Sequence, residues 1–256
     1  MSMIWKTTMI KDKPKEILND FLGFDCRKIY QRPDMFNFSL DSILLADFVI
    51  LNQKIKDVCD LGTGFAPIPL YLTMKKNLHI VGVEIQEEVA VIAKKNIELN
   101  DLEKSVTILH GDINQLDKHF KPGSFDLITC NPPFFKTFPD SNVNLSEYKT
   151  IARHEKLITL KQIVKMAKHL LKTKGHLVMV HRTDRLNEIL DVLKMYQFTV
   201  KRLRFVHTKK HDTAHMVLID ATKQGLEGLK VLPPLIVHEN GDYTEEVRKI
   251  FNYGSV

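Results

Sequence analysis

The sequence predicts an α/β fold in which helices cover both faces of a seven-stranded, mostly parallel sheet. From about residue 55 onward, short apolar runs of strand length alternate with longer helical patterns. This alternation favours a parallel sheet, because each parallel connection needs a crossover that is usually a helix. The last two apolar runs are separated only by a short loop, so they are expected to pair antiparallel as a hairpin at one edge of the sheet.

Residues 1–51 are expected to form a small addition packed on the core, made of an arm, short strands and one helix. Residues 1–20 contain several lysines and no clear period, which favours a loosely held arm. A helix is predicted from Leu40 to Leu51, with Ser39 as its N-cap. Asp41 falls in the first turn of this helix, where a carboxylate suits the helix dipole.

The main domain is predicted in residues 52–256, and the chain as a whole is expected to form one domain with its N-terminal addition. Apolar runs bounded by polar or turn residues predict strands at Ile55–Asp60, His79–Glu84, Val106–Gly111, Phe125–Cys130, Gly175–His181, Phe198–Val206 and Ala214–Ala221. Helices are predicted at Ala66–Lys76, Glu87–Leu99, Leu160–Leu171 and Arg185–Tyr196.

The composition is that of an ordinary globular protein and argues against a membrane protein. Hydrophobic residues make up 44% of the chain and charged residues 27%. The most apolar stretch, Ile43–Leu51, is interrupted by Asp47 and is far shorter than a bilayer requires. The three cysteines have no metal-site spacing and no secretory leader is evident, so we expect a cytoplasmic protein without a metal. A net charge of +6 permits a polyanionic partner without specifying one.

A glycine turn follows the first strand of the main domain, in the sequence Asp60-Leu61-Gly62-Thr63-Gly64-Phe65. Two glycines let the backbone approach a ligand closely at the carboxyl end of a parallel strand. The third glycine of the dinucleotide fingerprint is absent, because Pro67 stands at its position. An acid before the glycines, without that third glycine, favours a ligand that carries an ammonium group over a diphosphate.

Two further acids follow neighbouring predicted strands. Glu84 ends the second strand of the main domain, where its carboxylate can accept hydrogen bonds from both hydroxyls of a ribose. Asp112 follows the third strand and can accept from an adenine amine. Each acid alone is more often a strand-end cap or a solvated group. Together with the glycine turn, they predict a nucleoside-binding crevice.

The tetrapeptide Asn131-Pro132-Pro133-Phe134 follows the fourth strand. Neither proline has an N–H, so the sheet ladder stops there and its carbonyls can point into a cleft. Asn131 adds a side-chain acceptor, and Phe134 adds a flat apolar face. A planar group that carries an NH₂ would find acceptors for its hydrogens and a ring to stack on. The alternative is a plain strand-ending turn.

The sequence resembles the class I S-adenosylmethionine-dependent methyltransferases, which have a Rossmann-like fold and, in one group, an Asn-Pro-Pro-aromatic motif. It is most similar to the bacterial enzymes that methylate N6 of adenine 37 in valine tRNA. The resemblance rests on residues Gln31–Leu45, Gly82–Gln86, Cys130–Phe134, Ile151–Glu155 and Met179–Arg182. The fourth motif position is usually Tyr in these relatives, and Phe134 retains the stacking face without the hydroxyl.

The resemblance implies S-adenosylmethionine as cofactor and an adenine in RNA, of the tRNA adenine 37 type, as methyl acceptor. It implies that cofactor is bound by Asp60, Gly62, Gly64, Glu84, Asp112 and Asn131, and that Asn131, Pro132, Pro133 and Phe134 form the reaction site. Basic residues near strand ends predict phosphate contacts. They are Arg153, Arg182, Lys209 and Lys210, with Lys201, Arg202 and Arg204 as further members of a basic rim.

Alternatives remain open for chemistry and for function. His154 and His181 are candidate bases, although lone histidines near strand ends are usually structural. The same motif serves methyltransferases that modify a glutamine side chain in release factors, but those enzymes usually have a separate N-terminal helical domain. A catalytically silent RNA-binding protein that keeps the fold is the third possibility, and the intact acids and Asn131 argue against it. No obligate protein partner is evident.

Overall fold

The computed structural model describes residues 15–35, 40–132 and 158–252. The predicted N-cap Ser39 lies outside these residues, as do Pro133, Phe134, Arg153 and His154. Within the described ranges, no helix has the length and apolarity that crossing a membrane requires. Those ranges also hold no cluster of three or more His, Cys, Asp or Glu residues suited to a metal ion.

The N-terminal addition begins with a hairpin and continues with a helix. Strands β1 (Ile17–Phe21) and β2 (Phe24–Gln31) pair antiparallel, so residues 17–20 belong to a strand and not to a loose arm. Helix α1 spans Leu40–Phe48 and ends three residues before the predicted end at Leu51.

The main domain alternates strand and helix as predicted. Its first half contains β3 (Asp57–Leu61), α2 (Pro67–Lys75), β4 (His79–Glu84), α3 (Glu87–Leu99), β5 (Val106–His110), a 3₁₀ helix (Ile113–Lys118) and β6 (Phe125–Cys130). Its second half contains α4 (Leu160–Leu170), β7 (Leu171–Arg182), a 3₁₀ turn (Thr183–Arg185), α5 (Leu186–Met195), β8 (Phe198–His207) and β9 (Met216–Lys223). The strand predicted from Gly175 therefore begins four residues earlier, because β7 follows α4 without a loop.

The sheet holds nine strands of the described chain, so the predicted number of seven was wrong by two. The additional strands are β10 (Lys230–Val231) and β11 (Leu235–Ile236), which both pair parallel with β8. Two-residue strands have no alternation that a sequence pattern can reveal. The chain ends with a small hairpin, β12 (His238–Glu239) and β13 (Asp242–Tyr243), and with α6 (Glu245–Ile250), none of which was predicted.

The strand order is β5-β4-β3-β6-β7-β9-β8. The strands from β5 to β7 run parallel, and β9 lies between β7 and β8 as an antiparallel partner of both. The predicted antiparallel hairpin is therefore confirmed. We refer to the edge of the sheet at which β3 to β7 end as the carboxyl edge; the turn between β8 and β9 lies at the same edge, because Arg182 is paired with Met216.

Apolar side chains cover both faces of the sheet, which explains why the central strands read as continuous apolar runs. Helices α1, α2, α3 and α6 contribute to the core on one face, and α4 and α5 contribute to the core on the other. In α4, Leu160, Ile163, Val164, Ala167 and Leu170 are buried at helical spacing. A capping box between Thr159 and Gln162 starts this helix.

A buried amide, that of Asn96 in α3, attaches the N-terminal hairpin to the main domain. Asn96 Oδ1 accepts from the Tyr30 backbone N–H at 2.6 Å, and its Nδ2 donates to the carbonyls of Tyr30 at 3.1 Å and Phe65 at 3.0 Å. Asn96 is fully buried. This side chain joins β2, α3 and the glycine turn after β3, so the addition is part of the core.

Replacing Asn96 with Leu should lower the free energy of unfolding by about 2–4 kcal/mol, because it leaves buried backbone groups of Tyr30 and Phe65 without partners. Asn100→Leu is the matched control, since Asn100 makes the equivalent pair of bonds to Lys28 at an exposed position. That control should cost about 1 kcal/mol or less, because water replaces the lost bonds. If urea denaturation shows that the two variants lose equal amounts of unfolding free energy, the proposed attachment through Asn96 is contradicted.

Candidate active site

Four strand ends that carry the predicted motifs are neighbours at the carboxyl edge. Strands β5, β4, β3 and β6 are consecutive in the sheet. Leu61 at the end of β3 is paired with Val83 on one side and with Cys130 on the other. The Gly111 N–H donates to the Glu84 carbonyl at 2.9 Å. The residues that follow these strands therefore line one crevice.

The glycine turn bends over the end of β3. The N–H groups of Gly62 and Thr63 both donate to the Val83 carbonyl at 2.9 Å, which fastens the turn to β4. Gly62 and Gly64 have φ angles of +70° and +57°, in the region that favours glycine. A Cβ built on either glycine has no described atom within 4 Å, so the space in front of the turn is open.

Asp60 lies beneath this turn, not in the crevice. Its side chain is fully buried and accepts hydrogen bonds from the hydroxyls of Thr63 at 2.7 Å and Thr129 at 2.6 Å. Burial raises the pKa of Asp60 to about 6; the hydrogen bonds from Thr129 and Thr63 oppose this rise, and the charge of Glu84 adds to it. The geometry offers no direct contact between Asp60 and a ligand ammonium group. Its part in cofactor binding stays a prediction.

Gly82 provides the space in which Thr63 reaches Asp60. A Cβ on Gly82 would lie 2.9 Å from Thr63 Oγ1 and 2.9 Å from Ile108 Cδ1. Sequence analysis missed the supporting role of Gly82, Thr63 and Thr129. The small residue before Val83 and the hydroxyl after Gly62 are visible in the sequence, but nothing in it shows that they meet around Asp60.

Glu84 closes the bottom of the crevice. It is 5% exposed, and its two carboxylate oxygens accept from the backbone N–H groups of Gly64 at 3.0 Å and Gln86 at 2.9 Å. Burial raises the pKa of Glu84, and these backbone hydrogen bonds oppose the rise. Beside it, the Oε1 atom of Gln86 is buried and has no donor in the described part of the chain. Each of these oxygens retains capacity to accept from a ligand hydroxyl.

Asp112 acts as an N-cap in the structure. Its Oδ1 accepts from the backbone N–H of Asn114 at 2.8 Å and from the side chain of Asn114 at 3.1 Å, which starts the 3₁₀ helix. Capping of this kind is the alternative role expected for an acid that follows a strand. It leaves the Oδ2 atom without a described donor, so cofactor binding by Asp112 stays a prediction.

Asn131 follows β6 directly and is partly buried. Its Nδ2 donates to the hydroxyl of Ser42 in α1 at 2.9 Å. No described residue donates to its Oδ1, and this atom is not one of the buried unbonded oxygens. The amide therefore presents its carbonyl oxygen to accessible space. Pro132, the next residue, is buried.

The predicted basic rim divides into two groups. Lys201, Arg202 and Arg204 are engaged within the protein, so the structure contradicts a general role for them as phosphate ligands. Their partners are the carbonyls of Leu226 and Glu227 for Lys201, Asp220 and the Phe48 carbonyl for Arg202, and Glu246 and the Pro233 carbonyl for Arg204.

Arg182, Lys209 and Lys210 form the second group and lie at the carboxyl edge. Arg182 ends β7 and bonds to Asp184 at 3.2 Å while its side chain stays 39% exposed. Lys209 and Lys210 are exposed in the turn between β8 and β9 and make no ion pair with the described residues.

His181 was the other candidate near the end of β7. It is fully buried, and burial lowers its pKa to about 4. Burial, a lowered pKa and the hydrogen bond from the Arg182 N–H to Nδ1 favour a structural role for His181 over that of a base.

Comparison with protein families gives one match over most of the main domain. A family described as "Methyltransferase domain" matches residues 52–212. The match begins before β3 and ends in the turn between β8 and β9, so it includes all four strand ends of the crevice.

Named relatives are tRNA1(Val) (adenine(37)-N6)-methyltransferases. The chain is 31% identical over 165 residues to that of Porphyromonas gingivalis ATCC 33277, and this covers 62% of each chain. The chain thus spans less than two thirds of the length of that relative. It is 25% identical over 236 residues to that of Bacteroides thetaiotaomicron, covering 91% of this chain and 95% of the relative.

A solved structure supports the fold. A predicted O-methyltransferase from Agrobacterium tumefaciens aligns with a TM-score of 0.64 at 20% identity, covering 83% of this chain and 96% of that chain. At this identity the likeness concerns the fold alone. It confirms the predicted Rossmann-like class of α/β fold.

The buried Asp60 predicts a distinctive pH dependence of stability. Its pKa is raised from 3.8 to about 6 in the folded state, so the folded state binds this proton more tightly than the unfolded chain. The free energy of unfolding, relative to Asp60→Asn, should therefore fall as the pH rises from about 4 to about 6, by about 3 kcal/mol at most.

Urea denaturation at several pH values measures this difference. Thr129→Val should move the decline to higher pH, because it removes a hydrogen bond that favours the ionised carboxylate. If the stability curves of the wild-type protein and Asp60→Asn run parallel between pH 4 and 7, the raised pKa is refuted.

Proposed function

The chain belongs to the methyltransferase domain family, and we propose that it transfers a methyl group from S-adenosylmethionine to N6 of an adenine in tRNA. The observation that carries the proposal is the joint arrangement of Glu84, the glycine turn and Asn131 at consecutive strand ends. The names of the relatives support adenine 37 of valine tRNA as the class of target.

The residues of the crevice fit a nucleoside cofactor. Open space lies in front of Gly62 and Gly64, and the buried carboxylate of Glu84 faces the same crevice. The Oε1 atom of Gln86 is buried without a described donor, which a ligand hydroxyl can supply. Ile85 is 38% exposed between these two acceptors and offers an apolar surface.

In this proposal Asp60 acts through the turn. Its bonds to Thr63 and Thr129 join the glycine turn to β6, and its negative charge lies beneath the backbone that the cofactor would touch. A positively charged ligand near Asp60 favours the ionised carboxylate. S-Adenosylmethionine supplies an electrophilic methyl group on a sulfonium when it is bound.

Asn131 prepares the nucleophile. An exocyclic adenine amine is a poor nucleophile, because its lone pair is delocalised into the ring. The Oδ1 atom of Asn131 and the carbonyl of Pro132 can accept its two hydrogens, which draws the nitrogen toward tetrahedral geometry. Holding the amine in line with the methyl group supplies much of the acceleration, for which good alignment is worth roughly 7–11 kcal/mol. Phe134 is proposed to stack on the base.

No strong base is required, because the proton can leave the amine after methyl transfer. The described residues also argue against His181 as a base, since it is buried and neutral. Pro133 completes the motif as a residue without an N–H. These roles follow from the sequence motif and from the geometry of Asn131.

The basic residues support an RNA substrate. The turn that carries Lys209 and Lys210 joins β9 and β8, which lie two and three strands from β6 at the same edge of the sheet, about 10–14 Å away at the usual strand spacing. That distance corresponds to phosphates a few nucleotides from the target base. Arg182 lies between them on β7, and Arg153 is proposed as a further contact. A tRNA substrate in turn favours a cytoplasmic enzyme.

Glu84→Gln should weaken binding of S-adenosylmethionine and of its demethylated product about tenfold or more, because one charge-assisted acceptor is lost. Titration calorimetry measures both ligands, and Glu84→Ala should weaken them further. Glu103→Gln is the control, since Glu103 is exposed in the loop between α3 and β5, at the edge of the sheet opposite the crevice. Binding of NADH in place of both ligands would reject the cofactor assignment.

Asn131→Ala should remove most methyl transfer, about a hundredfold, while cofactor affinity changes little, because the side chain acts on the nucleophile. The assay uses labelled S-adenosylmethionine and unmodified tRNA, with N6-methyladenosine identified after nuclease digestion. Full activity of Asn131→Ala would reject the role of the motif. If the labelled methyl group is found in a release factor, and tRNA remains unlabelled even at low salt, the chain would be assigned to the glutamine methyltransferases.

Reversing the charge of Lys209 and Lys210 should raise the KM for tRNA about tenfold with little change in kcat, and should reduce the salt dependence of KM. The matched control reverses Lys54 and Lys121, which are exposed at the opposite edge of the sheet. It makes the same change in net charge. Equal effects of the two double variants would show that only net charge matters.

A further inference from the structure

We infer that Ser42 is a positioning residue for the methyl-transfer step, which it serves by holding the amide of Asn131 with its oxygen toward the substrate. This inference rests on the proposed function. The observation is the hydrogen bond from Asn131 Nδ2 to Ser42 Oγ at 2.9 Å, between residues 89 positions apart in the chain. Ser42 lies in α1, which belongs to the N-terminal addition and precedes the glycine turn, the two acids and the Asn-Pro-Pro motif in the sequence.

In the structure the contact sets the NH₂ end of the Asn131 side chain against Ser42, so the oxygen points away from that residue. An Asn side chain has two nearly equivalent orientations about its last torsion, which exchange the oxygen and the NH₂ group. Only the orientation with Oδ1 toward the substrate can accept a hydrogen bond from an adenine amine. In the other orientation the NH₂ group of Asn131 would face the NH₂ group of the adenine, and both are donors. In the structure Ser42 takes the NH₂ end, and no described residue competes for Oδ1.

Ser42 is suited to this role because α1 is held firmly. Ser42 is 6% exposed, and Ile43, Leu44 and Leu45 beside it are buried. At the other end of the helix, Arg202 donates to the Phe48 carbonyl at 2.8 Å and lies 4.2 Å from the Phe48 ring centroid. The Ser42 hydroxyl therefore has a fixed position relative to the sheet, and a functional side chain is oriented best by a rigid element.

Asp220 fixes the same arrangement from the sheet. It accepts from Arg202 at 3.0 Å and from His176 at 2.8 Å, so the guanidinium that holds α1 is itself held by β9 and β7. This explains why Arg202 is not available to RNA. A chain of contacts runs from β9 through Arg202 and α1 to Ser42 and then to Asn131.

The hydroxyl can be tested with an isosteric pair. Ser42→Thr keeps it and should retain a kcat within about twofold of the wild-type value, whereas Ser42→Val and Ser42→Ala should lose about three- to tenfold, the size expected for one hydrogen bond. The KM for S-adenosylmethionine should change little in any variant, since Ser42 bonds to Asn131 and not to Glu84 or the glycine turn. Ser124→Ala is the control, because Ser124 is a hydrogen-bonded serine at the opposite edge of the sheet.

A double-mutant cycle of stability tests the contact without any assay of activity. The effects of Ser42→Ala and Asn131→Ala on the unfolding equilibrium should be non-additive by a factor of about three or more. Additive effects would overturn the inference, and so would a wild-type kcat in both Ser42→Ala and Ser42→Val. A higher kcat in these variants would mean that Ser42 donates to Oδ1, the opposite orientation.

The two proposals fail in distinguishable ways. If the two substitutions are coupled in the stability cycle but the wild-type protein transfers no methyl group, the contact between Ser42 and Asn131 is retained and the proposed function is overturned. Active wild-type protein with unaffected Ser42 variants would retain the function and overturn the role of Ser42.

Discussion

The buried carboxylate of Asp60 is the interaction on which the rest of the site depends. It accepts from Thr63 in the glycine turn and from Thr129 in β6, so it joins the two strand ends between which a methyl donor and a target base would meet. Burial of a charge is costly, and the raised pKa of Asp60 records that cost. Two hydroxyl donors and the space left by Gly82 keep the ionised form within reach of neutral pH.

The parallel register of the sheet carries this arrangement to the neighbouring strands. Since β5, β4, β3 and β6 all end at one edge, the backbone N–H groups of Gly64 and Gln86 converge on Glu84, and Asn131 follows on the other side of the glycine turn. Ligands of open parallel sheets bind at this edge for the same reason. Asn131 therefore lies one strand from the glycine turn and two strands from Glu84.

The N-terminal addition is joined to this arrangement at several points. Asn96 joins it to the glycine turn through Phe65, and Arg32 joins it to the start of α3 through Glu88 at 2.8 Å. Ser42 then reaches Asn131. The cations divide in a similar way, because Arg202 and Arg204 serve the architecture while Lys209 and Lys210 remain in solvent.

Much of the fold followed from local pattern. The sequence alone determined the alternation of strand and helix, the C-terminal hairpin and the order of the strand-end motifs, since periodicity and turn chemistry are properties of neighbouring residues. It did not reveal β10 to β13 or α6, because these segments are too short or too irregular to show the spacing of apolar residues that predicts a strand or a helix. Only the tertiary structure decided that Asp60 lies under the turn, that Arg202 is internal, and that Ser42 meets Asn131. These facts depend on contacts between residues far apart in the chain, and which side chains meet across such distances is decided by packing, not by local pattern.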